Sequence, residues 1–215
     1  MKKTLAILCV TLCVMFSCKP EEDDSAIEPQ INKINGHEYV DLGLPSGLKW
    51  ATCNVGASSP EYYGGSYAWG ETEKNDPFTY GMYMDDISGN PNYDVARDEW
   101  GGSWRMPTKS DMEELIIYCT SKWIKKNGVN GFALTGPNGN SIFIPANKST
   151  EFYACCTFWT STPYRNDDED SDWVNRFSYY TVFEYDYDDY YDIDGVAEIA
   201  MMNRNNLYYV RPVTN

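Results

Sequence analysis

Polar and apolar positions follow a helical pattern most clearly after Pro107, and this pattern predicts a helix that begins at Thr108. Thr108 can cap the helix, and Asp111 lies three residues further on, as in a capping box. The apolar side chains that follow recur at positions i, i+3, i+4 and i+7: Met112, Leu115, Ile116 and Cys119. One face of this helix is therefore expected to pack against a core.

Short apolar runs bounded by turn residues predict strands in the first part of the chain. Two of them, at 39–42 and 49–55, are separated by a Gly-Leu-Pro-Ser-Gly turn signal. Residues 72–94 have little periodicity and are rich in Gly, Asn, Asp and Pro. They are therefore expected to form one long surface loop.

Two hairpins are predicted in the second part of the chain. The first joins 131–135 to 141–144 across a turn that contains an Asn-Gly dipeptide, which favours tight hairpins. The second joins 196–202 to 207–213 across an Asn-rich turn. The pattern as a whole predicts a mixed domain that is rich in strands and loops.

The N-terminus has the pattern of a signal peptide. Two lysines precede an apolar run over residues 4–16, which as a helix would span about 20 Å, short of the roughly 30 Å hydrocarbon core of a bilayer. The segment resembles a bacterial lipoprotein signal, because Cys18 follows the small residue Ser17 and opens a polar stretch. Residues 1–17 are predicted to be cleaved and Cys18 to carry the lipid, with palmitate among its acyl chains. The alternative is a secretory signal that is cut elsewhere.

Residues 18–30 are acidic and nearly devoid of apolar side chains. Such a segment cannot bury enough surface to offset its ordering entropy, so it is predicted to be a disordered tether. An acidic run just after an acylated cysteine resembles the export signal of surface lipoproteins in Bacteroidetes-type bacteria. The expected location is therefore the outer membrane, with the domain on the cell surface, and the alternative is a spacer that faces the periplasm.

Charge and histidine content exclude several classes of function. The 215-residue chain has 17 Lys and Arg against 32 Asp and Glu, and its formal charge of −15 argues against nucleic-acid binding. The single histidine, His37, cannot supply a multi-histidine metal centre. It is expected to be an inert surface residue at the entrance of the domain.

Six motifs occur in order along the chain, and together they are specific. They read Val-Asp-Leu-Gly-Leu-Pro-Ser-Gly-Leu-Lys-Trp-Ala at 40–51, Tyr-Ala-Trp-Gly-Glu-Thr at 67–72, Trp-Gly-Gly-Ser-Trp-Arg-Met-Pro-Thr at 100–108, Asn-Gly-Val-Asn-Gly at 127–131, Phe-Trp-Thr-Ser-Thr at 158–162 and Val-Arg-Pro-Val at 210–213. This set resembles the Fibrobacter succinogenes major paralogous domain family of secreted and surface lipoproteins. The third motif is also similar to a stretch of formylglycine-generating enzymes and other C-type-lectin-like domains.

The resemblance implies that residues 31–215 form a C-type-lectin-like α+β domain. Such a domain has small antiparallel sheets, one or two helices, long loops and terminal strands that are brought together. Four tryptophans lie within the motifs and are expected to belong to the core: Trp50, Trp69, Trp100 and Trp104. The resemblance implies little about the ligand.

An acidic stretch at 167–194 contains eleven Asp and Glu residues. Because such density causes repulsion unless a cation neutralises it, calcium is one candidate ligand there. The spacing does not match an EF-hand loop, so no metal ligand is assigned. The alternative is a solvated acidic loop that needs no cofactor.

Aromatic side chains are interleaved with these acids. Aromatic rings beside carboxylates suit the recognition of carbohydrate or protein. The candidate ligand contacts are Trp173, Tyr185, Tyr187, Tyr190 and Tyr191. The alternative is that some of these tyrosines pack inward from strands.

Four cysteines follow the lipidated one: Cys53, Cys119, Cys155 and Cys156. In an oxidising compartment they could pair, for example Cys53 with Cys119, but the sequence does not choose among three connectivities. Formylglycine-generating enzymes use two cysteines in a different motif. The adjacent pair here has no nearby His or basic cluster to activate a thiol.

The sequence therefore predicts a lipid-anchored, non-catalytic binding or adhesion module of the cell envelope. Its expected partners are the membrane, through the lipid, and an extracellular glycan or protein. One alternative is a structural component of a surface appendage or outer-membrane complex. A lesser alternative is a cysteine-dependent oxidase of the formylglycine type.

Overall fold

The computed structural model describes residues 32–73, 85–148, 153–165, 174–186 and 196–215. These residues contain two α-helices, α1 (Val95–Trp100) and α2 (Lys109–Tyr118), and a 3₁₀ turn at Val174–Arg176. Their strands are β1 (Asn32–Ile34), β2 (His37–Asp41), β3 (Lys49–Ala51), β4 (Thr120–Lys126), β5 (Val129–Thr135), β6 (Ser141–Pro145), β7 (Asn147–Lys148), β8 (Tyr153–Pro163), β9 (Phe177–Asp186), β10 (Val196–Asn203) and β11 (Val213–Thr214).

The strands form three small antiparallel sheets. Their orders are β1-β2-β3-β11, β10-β9-β8-β7 and β4-β5-β6. With two short helices and long connections, the domain is of the α+β class, as the sequence predicts. Strands from the beginning and the end of the described chain share the first sheet, because β11 pairs with β3.

Helix α2 covers the first of two hydrophobic cores. Thr108 accepts a hydrogen bond from the Asp111 backbone N–H, and the Asp111 side chain accepts one from the Thr108 N–H, so the predicted capping box is confirmed. Met112 and Leu115 are buried in this core, while the rest of the predicted stripe is half-buried. The local pattern therefore identified both the start and the buried face of this helix.

The second core is rich in tryptophan. It contains Trp69, Trp100 and Trp104, together with Trp159 from β8. Trp50 is buried in the first core instead. The prediction that the four motif tryptophans belong to the core is therefore confirmed.

The predicted C-terminal hairpin is wrong, although its turn is present. Strand β10 pairs with β9, not with the residues after the turn. After the turn, residues 208–213 pass between the sheets: Tyr208 bridges to Tyr67, and Tyr209 bridges to Phe158 of β8. A local pattern cannot distinguish these distant partners from a neighbouring strand.

The other strand and helix predictions differ in extent. The hairpin of β5 and β6 is confirmed, and β4 extends it as a third strand. Strand β3 ends at Ala51 rather than at 55, because the buried Arg211 side chain donates hydrogen bonds to the carbonyls of Ala51 and Thr52. The described part of the predicted long loop contains no helix or strand, and α1 follows it directly.

Within the described ranges, no helix has both the length and the apolar character needed to cross a bilayer.

Candidate functional site

The sheet of β7 to β10 lies between the two cores, and its strands alternate their side chains between them. On one face, Cys156, Phe158 and Phe183 pack into the first core. On the other face, Trp159 and the half-buried Tyr180 pack against the second core. The alternation of a β-strand therefore decides which side chains of this sheet reach each side.

An aromatic row runs outward from the second core. It consists of Trp159 from β8, Tyr208 from the segment after β10, and Tyr180 from β9. The ring centroid of Tyr208 lies 4.7 Å from that of Trp159 and 5.1 Å from that of Tyr180. Trp159 is fully buried and donates its indole N–H to the Tyr67 carbonyl, whereas both tyrosines are half-exposed.

Two carboxylates lie on the same sheet face as the aromatic row. Glu184 is four residues after Tyr180 on β9. Glu198 on β10 pairs with Val182, which lies midway between Tyr180 and Glu184. Glu198 is exposed and Glu184 is half-buried. Neither carboxylate makes an ion pair or a side-chain hydrogen bond among the residues that the structure describes. Both therefore keep their acceptor capacity for a ligand.

The tyrosine hydroxyls of the row remain protonated at neutral pH. Burial raises the pKa of Tyr208 to about 12, with smaller contributions from Tyr180 and Cys155. Burial also raises the pKa of Tyr180, and the charges of Glu184 and Glu198 add to this effect. The face thus offers two phenol donors and two carboxylate acceptors beside aromatic rings.

Of the ligand contacts predicted from the sequence, only Tyr185 lies in the described part of the chain. Its ring stacks on Trp123 with a centroid distance of 4.5 Å, and it packs against the first core. It therefore lies on the sheet face opposite to the aromatic row, as the inward-packing alternative expected. Cys18, the predicted lipid-attachment residue, lies outside the described residues, and so do the other predicted contacts: Trp173, Tyr187, Tyr190 and Tyr191.

Tyr208, Glu184 and Glu198 are not among the contacts predicted from the sequence. The signal for part of the site was present, because Tyr180, Val182 and Glu184 alternate along one strand. Tyr208 could not be placed, since the predicted hairpin gave its segment the wrong partner.

The four described cysteines are not joined in disulfides. Cys155 and Cys156 are adjacent on β8, so their side chains point to opposite faces of the sheet. Burial raises the pKa of the Cys156 thiol strongly. The disulfide considered between Cys53 and Cys119 is not formed, and these two residues line separate clefts.

Metal-ligating side chains do not converge in the part of the chain that the structure describes: no group of three His, Cys, Asp or Glu residues there could hold an ion. Most of the acidic stretch considered for calcium lies outside that part.

No protein-family model matches this chain, and comparisons with curated proteins and with solved structures give no match. The class of the fold therefore rests on the topology of the chain itself.

Proposed function

We propose that this protein is a non-catalytic, lipid-anchored module of the bacterial cell envelope that binds an extracellular glycan. In this proposal the domain is C-type-lectin-like, is anchored through Cys18 and faces the cell exterior. The observation that carries the binding function is the aromatic row with Glu184 and Glu198 beside it. Aromatic surface with a few well-placed polar groups is typical of ligand sites.

The chemistry of the site favours a neutral or amino sugar over an acidic one. Carboxylates accept hydrogen bonds from sugar hydroxyl groups, and the phenols of Tyr180 and Tyr208 can donate to ring or glycosidic oxygens. Half-exposed aromatic rings provide apolar contact at a small entropic cost. An acidic glycan would be repelled by Glu184 and Glu198 and by the overall charge of −15.

The cysteine arrangement gives the oxidase alternative little support. An oxidase of the formylglycine type needs two cooperating thiols, and the adjacent pair is divided between two faces of β8. Glycan binding at the aromatic row, by contrast, needs no reactive group.

A glycan array tests the proposal, with the full chain extracted in mild detergent and assayed both with calcium and with a chelator. Binding to a defined class of neutral or amino sugars is expected. Glu184→Gln and Glu198→Gln together should weaken it by at least about tenfold, since a hydrogen bond to a charged group contributes about 1.5–3 kcal/mol.

The matched control is Glu113→Gln on α2. Helix α2 packs on the other side of the sheet, and Glu113 makes only an exposed ion pair with Lys109, so its loss should leave glycan binding unchanged. Absence of binding in both conditions, or full binding by the double variant, would contradict the proposal.

A structural role in a larger assembly is the second candidate, and one observation favours it. Ile117 and Tyr118, adjacent at the end of α2, are 72% and 48% exposed. Exposed apolar neighbours of this kind often contact other proteins. If they mediate self-assembly, the protein will elute as a concentration-dependent oligomer on sizing, and Ile117→Lys will make it monomeric. A monomer at high concentration would argue against this role.

A further inference from the structure

A cleft lies apart from the aromatic row, between the β1–β2 hairpin and the loop that follows β3. Its volume is about 340 Å³. Lys33, His37 and Glu38 line it from the hairpin, Cys53 lines it from the loop, and Trp100 closes one side. The cleft therefore brings the only histidine of the chain together with a free thiol and an ion pair.

His37 and Cys53 both line the cleft, near the end of the β2–β3 pairing. Tyr39 pairs with Ala51, and the Thr52 N–H donates to the Glu38 carbonyl at 3.0 Å, so each of the two residues is next to a residue of this last backbone hydrogen bond. The imidazole is held by Trp100, on which it stacks with a centroid distance of 3.8 Å and an interplanar angle of 6°. Burial lowers the pKa of His37 against the opposing effect of Glu99, which favours the neutral form of the ring.

A buried cation lies behind Cys53. The Arg211 side chain is fully buried, and its four described hydrogen bonds all go to neutral acceptors, one of them the Thr52 carbonyl. Burial lowers the pKa of Arg211 to about 10, while Cys53 and Cys156 oppose this shift. Cys156 is buried away from solvent, so of these two thiols only Cys53 lines the cleft.

The ion pair at the cleft defines the kind of molecule that fits. Lys33 Nζ lies 3.0 Å from Glu38 Oε1, and both side chains are exposed. Such a surface pair contributes little to folding, so its partners are free to bind a ligand instead. An ammonium and a carboxylate side by side complement the carboxylate and ammonium groups of a free amino acid.

We propose that this cleft binds small zwitterionic disulfides of the cystine type and that Cys53 forms a mixed disulfide with them. The Cys53 Sγ thiolate attacks one sulfur of the bound disulfide, the S–S bond breaks, and a new S–S bond joins Cys53 to half of the ligand. The other half leaves as a thiolate and takes the proton that His37 accepted from Cys53. One disulfide is consumed and one is formed, so no further oxidant is needed.

Peptide mapping tests the proposal. The reduced full chain is incubated with cystine at pH 7, and the adduct at each cysteine is followed over time by mass spectrometry. Cys53 should react at least about tenfold faster than Cys119, because burial raises the pKa of Cys119 to about 11 and thiolate is the reactive form. Cys53→Ser should abolish the fast adduct.

Two variants distinguish recognition of cystine by the cleft from simple solvent exposure of Cys53. Lys33→Ala should slow the reaction with cystine by about threefold to fivefold while leaving the rate with the uncharged reagent iodoacetamide unchanged. His37→Phe keeps a ring against Trp100 but should slow both reactions at pH 7 and move the rate profile to higher pH. The proposal is overturned if Cys53 reacts with cystine no faster than Cys119, or if Lys33→Ala slows both reagents equally.

Discussion

Replacing Arg211 by methionine is expected to destabilise the protein by at least about 3 kcal/mol, because it leaves several buried acceptors without a donor. Arg211 Nε donates to Asn54 Oδ1 at 2.8 Å, and its terminal nitrogens donate to the carbonyls of Ala51, Thr52 and Phe143. Methionine fills a similar volume but donates no hydrogen bond. The loss should therefore come from unsatisfied polar groups rather than from a cavity.

Urea unfolding followed by tryptophan fluorescence measures this effect. The control is Lys122→Met at an exposed position of β4, which should change the free energy of unfolding by no more than about 0.5 kcal/mol. Arg211→Lys should also be destabilising, because an ammonium group cannot reproduce the planar fork of the guanidinium. If Arg211→Met unfolds at the same urea concentration as the unchanged protein, the buried hydrogen bonds of Arg211 do not hold these segments together.

Asp94→Ala is expected to have the second largest effect, a loss of about 3 kcal/mol. Asp94 is fully buried, and its carboxylate accepts hydrogen bonds from four backbone N–H groups. Two of them, from Ala96 and Arg97, belong to the first turn of α1, and the others come from Gly89 and Met106. The substitution leaves all four donors unsatisfied and detaches α1 from the segment that leads into α2.

The same unfolding measurement applies, with Asp98→Ala as the control. Asp98 lies in the first turn of the same helix but is exposed, so only a small interaction with the helix dipole is lost. A similar loss for both variants would mean that charge near the helix N-terminus, not the network around Asp94, determines the stability of this region.

The features that the sequence predicted correctly are those with local causes. Helix α2 begins where Thr108 and Asp111 satisfy each other's backbone donors, and both residues lie within one turn. The β5–β6 hairpin has its turn signal between its own strands. Helix α1 was missed because it has only six residues, too few for two turns of an apolar stripe.

The candidate site depends on contacts that no local pattern contains. Tyr208 reaches Trp159 and Tyr180 because residues 208–213 pass between two sheets rather than pairing with β10. The density of tyrosines and acids drew the prediction to Tyr185 and the residues after it. Strand alternation instead turns Tyr185 toward Trp123 and leaves Glu184 on the face with the aromatic row.

The path of residues 208–213 also has a consequence for cooperativity. Tyr208 and Val210 pack in the second core, whereas Tyr209 and Val213 pack in the first, so successive side chains of one extended segment complete both cores. Neither core can open at this segment without exposing the other, and the two should unfold as one cooperative unit. A ligand held at Tyr208 would then raise the free energy of global unfolding, and its binding would be detectable as increased thermal stability of the whole domain.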